Sequence, residues 1–321
     1  MNPSAAILLT LLLCTVLHAN AASEPRTHAM WVYKTDEVMA DPKEQAQLFE
    51  FCASRRIVDL FWQMRFTPAP GATQDGPLLV QNAVALRAFL HEANAHGLRI
   101  HALSGDPSFT EPTRHQRALA RVDSIVEFNR TATSDRFSGI HFDIEPHGLK
   151  AWRSASVEQR SLLLTHLVEV CAIAADRAHG AVPPMQFGAD ITFWFDKSKP
   201  DGSPVYPVTF HGKTKDATKH LLDFADNVGI MSYRNTAEGK NGIVSLVRQT
   251  IEYADTAKGR AFVGVKVSPI GAAMESFFGV TEEQMMQALK PIDTTYSSHR
   301  GYAGLAFFMY EAYRLMPHSS Q

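Results

Sequence analysis

The chain is poor in cysteine, with Cys14, Cys52 and Cys171 the only three in 321 residues and no Cys-x-x-Cys pair among them. That excludes a disulfide-dense scaffold, a dithiol redox motif and a cysteine-based zinc site. Net charge is equally scarce: 31 Lys and Arg stand against 33 Asp and Glu, a formal charge of −2. Such a balance supplies no cationic field for phosphate backbones or anionic lipid, so nucleic acid is not an expected partner. There is no Gly-rich phosphate loop, no Ser-His-Asp arrangement, and no His-x-His or His-Glu-x-x-His element despite fourteen histidines. His91 and His96, five apart on a helical stretch, do not share a face. Cofactor and resident metal are therefore both expected to be none.

Long apolar runs are missing too. The longest, Ala5 to Leu17, is shorter than the ~20 residues that a spanning helix requires. It stops at Ala19-Asn20-Ala21, a small-x-small cleavage pattern, although the segment before it lacks the usual Lys or Arg. The reading is a signal peptide over residues 1–22 and a mature chain over 23–321 in the periplasm or secreted, with no stable membrane insertion; the alternative is a short anchor. Bulky Leu13 before Cys14 argues against lipoprotein processing. Cleavage would leave Cys52 and Cys171, expected as free buried thiols on opposite sides of the fold.

What remains is 45% hydrophobic and 20% charged, the composition of one large globular domain. From residue 28 onward, short apolar runs alternate with amphipathic stretches. Strands are expected near 29–34, 56–62, 98–103, 138–145, 185–192, 226–232, 260–267 and 302–308. Helices are expected over 42–54, 79–96, 113–129, 157–178, 215–224, 242–257 and 281–289, with a last one from Glu311. Gly97 ends the second of these, and Thr281 with Gln284 can box the start of the seventh. Eight strands each followed by a helix make an α/β fold, a single (β/α)₈ barrel of the TIM type. Two long connections, Thr67 to Pro77 and Phe193 to Thr214, leave strand C-terminal ends. That is the face where such barrels hold their sites, so both are read as cleft walls.

The fourth strand carries the chemistry. Along Gly139-Ile140-His141-Phe142-Asp143-Ile144-Glu145, residues 139, 141, 143 and 145 share one face and the three apolar residues take the other. The apolar set packs beneath the helices, so the polar set points into the barrel, where ionisable groups are costly without a use. Pro146 ends the ladder. Glu145 then stands at the rim, Asp143 one layer below and His141 deeper. A glycosidic oxygen leaves poorly until protonated, and a carboxyl beside a second carboxylate in a partly dry site can donate a proton near neutral pH. Glu145 is the expected general acid, held by Asp143, which also stabilises developing positive charge. A polar layer serving stability alone is the competing reading.

Ser138 to Glu145 resembles the fourth-strand signature of family 18 glycoside hydrolases, the chitinase-like barrels, Asp-Gly-x-Asp-x-Asp-x-Glu. Asp143 and Glu145 match its last two acids, while Ser138 and His141 replace the first two. Met231-Ser232-Tyr233 resembles the family's Met-x-Tyr element, with Arg234 where an aspartate commonly follows, and Phe308 stands where a tryptophan usually floors the sugar site. Trp31-Val32-Tyr33 and His101 to Pro107 also resemble a group of exported bacterial proteins. The resemblance implies cleavage of a polysaccharide or oligosaccharide containing amino sugars, with the substrate's own acetamido group as nucleophile and Tyr233 positioning it. The substitutions point to a relative acting on a polysaccharide other than chitin.

Further candidates lie at strand ends. Asp106 and Asp190 could converge on Glu145, or serve a turn or an internal pair. Trp62, Trp194, Phe195 and Tyr206 could stack on sugar rings or simply pack. Lys34 and Lys266 could meet an acidic substrate or be solvated. Because His101, His141, Asp143, Glu145 and Asp190 could line one cavity, a divalent-metal hydrolase or phosphodiesterase is the alternative enzyme. A carbohydrate-binding barrel without turnover is the alternative outside catalysis.

Overall fold

The computed structural model describes residues 26–73 and 75–317; the expected leader, residues 1–22, lies outside them. Among the described residues no helix is long and apolar enough to cross a membrane.

Eight parallel strands close into a barrel: β1 (His28–Val32), β2 (Ile57–Gln63), β3 (Arg99–Ser104), β4 (Gly139–Phe142), β5 (Gln186–Thr192), β6 (Asn227–Met231), β7 (Arg260–Lys266) and β8 (Tyr302–Phe308). Neighbours in space are neighbours in sequence, and β1 closes on β8 through Ala29 opposite Ala306. The strands are buried on both faces, which is why they read as near-continuous apolar runs. Their outward residues, among them Ile140 and Phe142, join the helices and Ile144 just beyond β4 in the main hydrophobic core, and a smaller cluster including Ala29, Trp31, Phe61 and Phe262 fills the inside. The expected single (β/α)₈ barrel is present.

Several boundaries differ from expectation. The fourth strand spans 139–142 rather than 138–145. The amide of Asp143 still donates to the carbonyl of Ser104, but Pro146 has no N–H to continue and opens a 3₁₀ turn over Pro146–Gly148. The seventh expected helix runs past residue 289, over Glu282–Tyr296 with Pro291 inside it. Met285, Leu289, Ile292 and Tyr296 form one buried stripe, and the Tyr296 hydroxyl donates to the carbonyl of Val244 at 2.6 Å. Burying that stripe outweighs the ~3 kcal/mol that an internal proline costs. The Thr281–Gln284 capping box is formed.

Among the described residues, each long connection is fastened by one short hairpin and is otherwise turns and bends. Phe66–Pro68 pairs with Leu78–Val80, and Val208–Phe210 pairs with Lys213–Lys215. In the second hairpin the two turn residues, His211 and Gly212, have φ of +48° and +73°, the left-handed pair that a tight two-residue hairpin requires. The first hairpin's connection folds onto the outer helix His115–Arg130, where Arg117 meets Asp75 at 2.9 Å. Cys52 and Cys171 lie in helices Pro42–Ser54 and Val157–His179, both free and buried.

Candidate active site

The barrel interior is layered. At the N-terminal end of the strands, Asp59 receives both Nε and Nη2 of Arg99 at 2.7 and 2.6 Å, and His101 Nε2 lies 2.9 Å from Oδ1, the oxygen that also accepts Arg99 Nε. Burial acts to raise the Asp59 pKa, but the Arg99 and His101 hydrogen bonds outweigh it and bring the carboxyl down to about 2. This layer plugs the barrel floor.

One layer up, Asp190 on β5 accepts the Trp31 indole N–H at 2.9 Å on one oxygen and shares a 2.9 Å hydrogen bond with His141 Nε2 on the other. His141 lies flat on Phe61, ring centroids 3.9 Å apart. Two glycines make this possible. A Cβ on Gly229 would overlap Asp190 Oδ1, and one on Gly188 would come within 2.6 Å of His141 Nδ1. Burial drives both members of the pair toward their uncharged forms, taking His141 down to about 3 and the Asp190 carboxyl well above the ordinary range.

Asp143 sits above that pair, on the same face of the chain as His141. Its Oδ1 is shielded from solvent and has no hydrogen-bond partner among the described residues. Burial first, then the charges of Asp190 and Glu145, push its pKa well up. Glu145 is at the rim, 36% exposed, with His147 Nε2 3.3 Å from its carboxylate. Around these acids stand Tyr33, Tyr233, Trp31 and Phe308, with Phe308 between 5.6 and 6.1 Å from the other three rings. Burial and the neighbouring acids push both tyrosine phenols far up, so each is held neutral as a hydrogen-bond donor. Lys266, at the end of β7, is 5.5 Å from the Tyr233 ring centre. Trp194 packs edge-on to His147 at 5.5 Å and near Trp152 and Tyr206, forming an aromatic wall beside Glu145.

Of the residues singled out in the sequence, Glu145, Asp143, His141, Asp190, Tyr233, Trp194 and Phe308 gather at this end of the barrel. Trp62 does not: it is buried, stacked on Phe89 with centroids 4.1 Å apart, beneath the helix Ala83–Ala95. On β2 it is Asp59 and Phe61 that face inward, so Trp62 between Phe61 and Gln63 must face out. Asp106 is exposed and accepts the Ser108 amide at 2.8 Å, capping a 3₁₀ turn. Phe195 is core, and Lys34 is exposed and pairs with Glu37. Among the described residues no group of three or more His, Cys, Asp or Glu could hold a metal ion, and both oxygens of Asp190 are already engaged by Trp31 and His141.

His147 is not among the residues singled out in the sequence, and Trp31 and Tyr33 enter there only as part of a resemblance, not as site residues. Trp31 and Tyr33 share a face of β1, a signal hidden because an aromatic in a strand reads first as core. His147 follows Pro146 at a strand end, a position that was legible.

Comparison with protein-family models finds no match, and neither does comparison with curated protein sequences. Among solved structures, the fold is similar to a β-mannanase from the blue mussel Mytilus edulis, at 13% identity and TM-score 0.56, covering 88% of this chain and 86% of that one. It is also similar to a GH18 chitinase from Pseudoalteromonas aurantia, at 12% and 0.54 over 88% and 94%. A third is the spore cortex-lytic enzyme SleL of Bacillus megaterium, at 13% and 0.51 over 88% and 70%. Likeness at these identities is likeness of fold.

Proposed function

We propose that this protein is an exported glycoside hydrolase that cleaves a glycosidic bond in a polysaccharide outside the cytoplasm, with Glu145 as proton donor. The observation that carries the reading is the column at the C-terminal mouth: a half-exposed Glu145 above a shielded Asp143 with an unpartnered oxygen, ringed by neutral phenols and aromatic faces. The fold relatives named above for a mannanase and a chitinase add support at the level of fold.

In this reading a sugar ring lies over Phe308 and Tyr233 with its glycosidic oxygen toward Glu145. Glu145 gives its proton to that oxygen as the bond to C1 breaks. With an amino sugar, the acetamido carbonyl oxygen attacks C1, and Asp143 and the Tyr233 hydroxyl hold the acetamido group in line. Water then opens the cyclic intermediate, and the Glu145 carboxylate takes its proton, so the anomeric configuration is retained. Asp190 does no chemistry: with His141 and Trp31 it forms the rigid base on which Asp143 rests.

The test is release of reducing ends from a panel of bacterial cell-wall glycans and exopolysaccharides by the purified mature chain. New reducing ends from at least one amino-sugar polymer are expected, undiminished by prior chelation. Binding without reducing ends across the panel would favour a lectin-like barrel, and activity abolished by chelation would favour the metal-dependent alternative.

A further inference from the structure

Tyr233 is flanked by two cations that the proposed chemistry leaves unused. Arg234, next in the chain, is half-buried at the rim. Its Nη1 donates to the carbonyl of Tyr233 at 2.7 Å, its guanidinium lies 5.0 Å from the Phe193 ring centre, and its Nε is shielded from solvent without a partner. Among the described residues it has no ion pair with a carboxylate, in contrast to Arg99, which grips Asp59 with two nitrogens. On the other side Lys266 is only 7% exposed and stands 3.4 Å from Glu275, longer than the ~2.7–2.9 Å of a well-formed charge-assisted hydrogen bond. A buried Lys266 and a half-buried Arg234, both incompletely paired, are costly unless an anion completes them.

We infer that the substrate is a glycan bearing a carboxylate, received by Arg234 and Lys266 on either side of Tyr233. This rests on the glycosidase reading and narrows it to acidic polysaccharides. Lys266 lies 5.5 Å from the Tyr233 ring centre and Arg234 is the next residue along the chain, so a glycan stacked over Phe308 and Tyr233 and running outward across the rim would meet Lys266 first and Arg234 after it. The guanidinium fork suits a planar carboxylate, with Phe193 backing its face, and the ammonium supplies a second point of charge. Without these cations, an anionic sugar would meet only the like charge of the rim acids. Two sources carry the required group beside an N-acetylated sugar: the lactyl ether of muramic acid and the C6 carboxylate of a uronic acid.

The experiment uses the mature chain with Glu145→Gln, so that binding is measured without turnover. Calorimetry compares peptide-free cell-wall glycan strands, hyaluronan oligosaccharides and neutral chitohexaose, together with the first two after reduction of their carboxyls to alcohols. At least one acidic glycan is expected to bind roughly tenfold or more tighter than its reduced form, the size of one charge-assisted contact. The acidic glycan that does so identifies the source. Arg234→Gln and Lys266→Met should each shrink the gap between native and reduced ligand. Equal affinity for native and reduced forms, or no binding of either acidic glycan, overturns the inference, and neither outcome depends on any variant at the cations. Cleavage by the wild-type chain is scored separately. Carboxylate-dependent binding with no cleavage sinks the glycosidase reading alone, and cleavage indifferent to the carboxylate sinks this inference alone.

Discussion

At the scale of single residues, the site is held at a cost. Asp143 keeps one oxygen buried and unpartnered, and burial with the charges of Asp190 and Glu145 raises its pKa well above the ordinary value near ~3.9. Below about pH 4 the carboxyl is protonated in both folded and unfolded chains, and its effect on stability cancels. As pH rises, the unfolded chain releases the proton while the folded chain retains it, so stability falls toward the raised folded pKa. Asp143→Asn removes that dependence. Its melting temperature at neutral and mildly alkaline pH should exceed the wild type's by the equivalent of ~0.5–2 kcal/mol, with the gap closing near pH 4, while turnover falls. A variant less stable than wild type throughout would mean that Asp143 is a structural group. Asp143 and Glu145 were legible in the sequence because acids at alternate positions of an apolar strand have few bland explanations. The Trp31 hydrogen bond to Asp190 was not, since its partners lie 159 residues apart.

At the scale of elements, the period of a strand tells which residues share a face, and one polar residue tells which face is inside. On β4 that logic placed His141 on the inner face, and the same alternation carried one residue past the strand places Asp143 above it. On β2 the same logic, anchored on Asp59, puts Trp62 outside, against Phe89, and the expectation of a sugar-binding Trp62 failed for want of that anchor. The two tryptophans therefore separate packing from binding. Trp62→Ala should cost ~3–5 kcal/mol in urea unfolding and leave the turnover of the folded fraction near wild type. Trp194→Ala, at the half-buried wall beside His147, should change stability little and raise KM roughly three- to tenfold. The reverse pattern would place the cleft elsewhere. The helix Glu282–Tyr296 teaches a related point: a proline read locally is a stop, but a buried stripe on both sides of it overrides the local signal.

At the scale of the whole molecule, the closed barrel was legible because eight alternations of apolar run and amphipathic stretch leave few other ways to bury every strand on both faces. The pairing of the long connections into hairpins was not, since three-residue strands carry too little pattern to read. Burial on opposite sides of the barrel pushes the Cys52 thiol up to about 12 and the Cys171 thiol higher still. In the native chain neither should react with an aromatic disulfide reagent at neutral pH, and both should react in denaturant; prompt native labelling would contradict the packing described here. The central claim is that the C-terminal mouth is a glycosidase site with Glu145 as its proton donor. The most direct test is turnover of Glu145→Gln on whichever polysaccharide the wild type cleaves, with binding measured alongside. Glutamine keeps the shape and the hydrogen bonds but has no proton to give. If Glu145 is the proton donor, kcat falls by about 10² to 10⁴-fold with affinity largely preserved; near-wild-type turnover means that another group gives the proton.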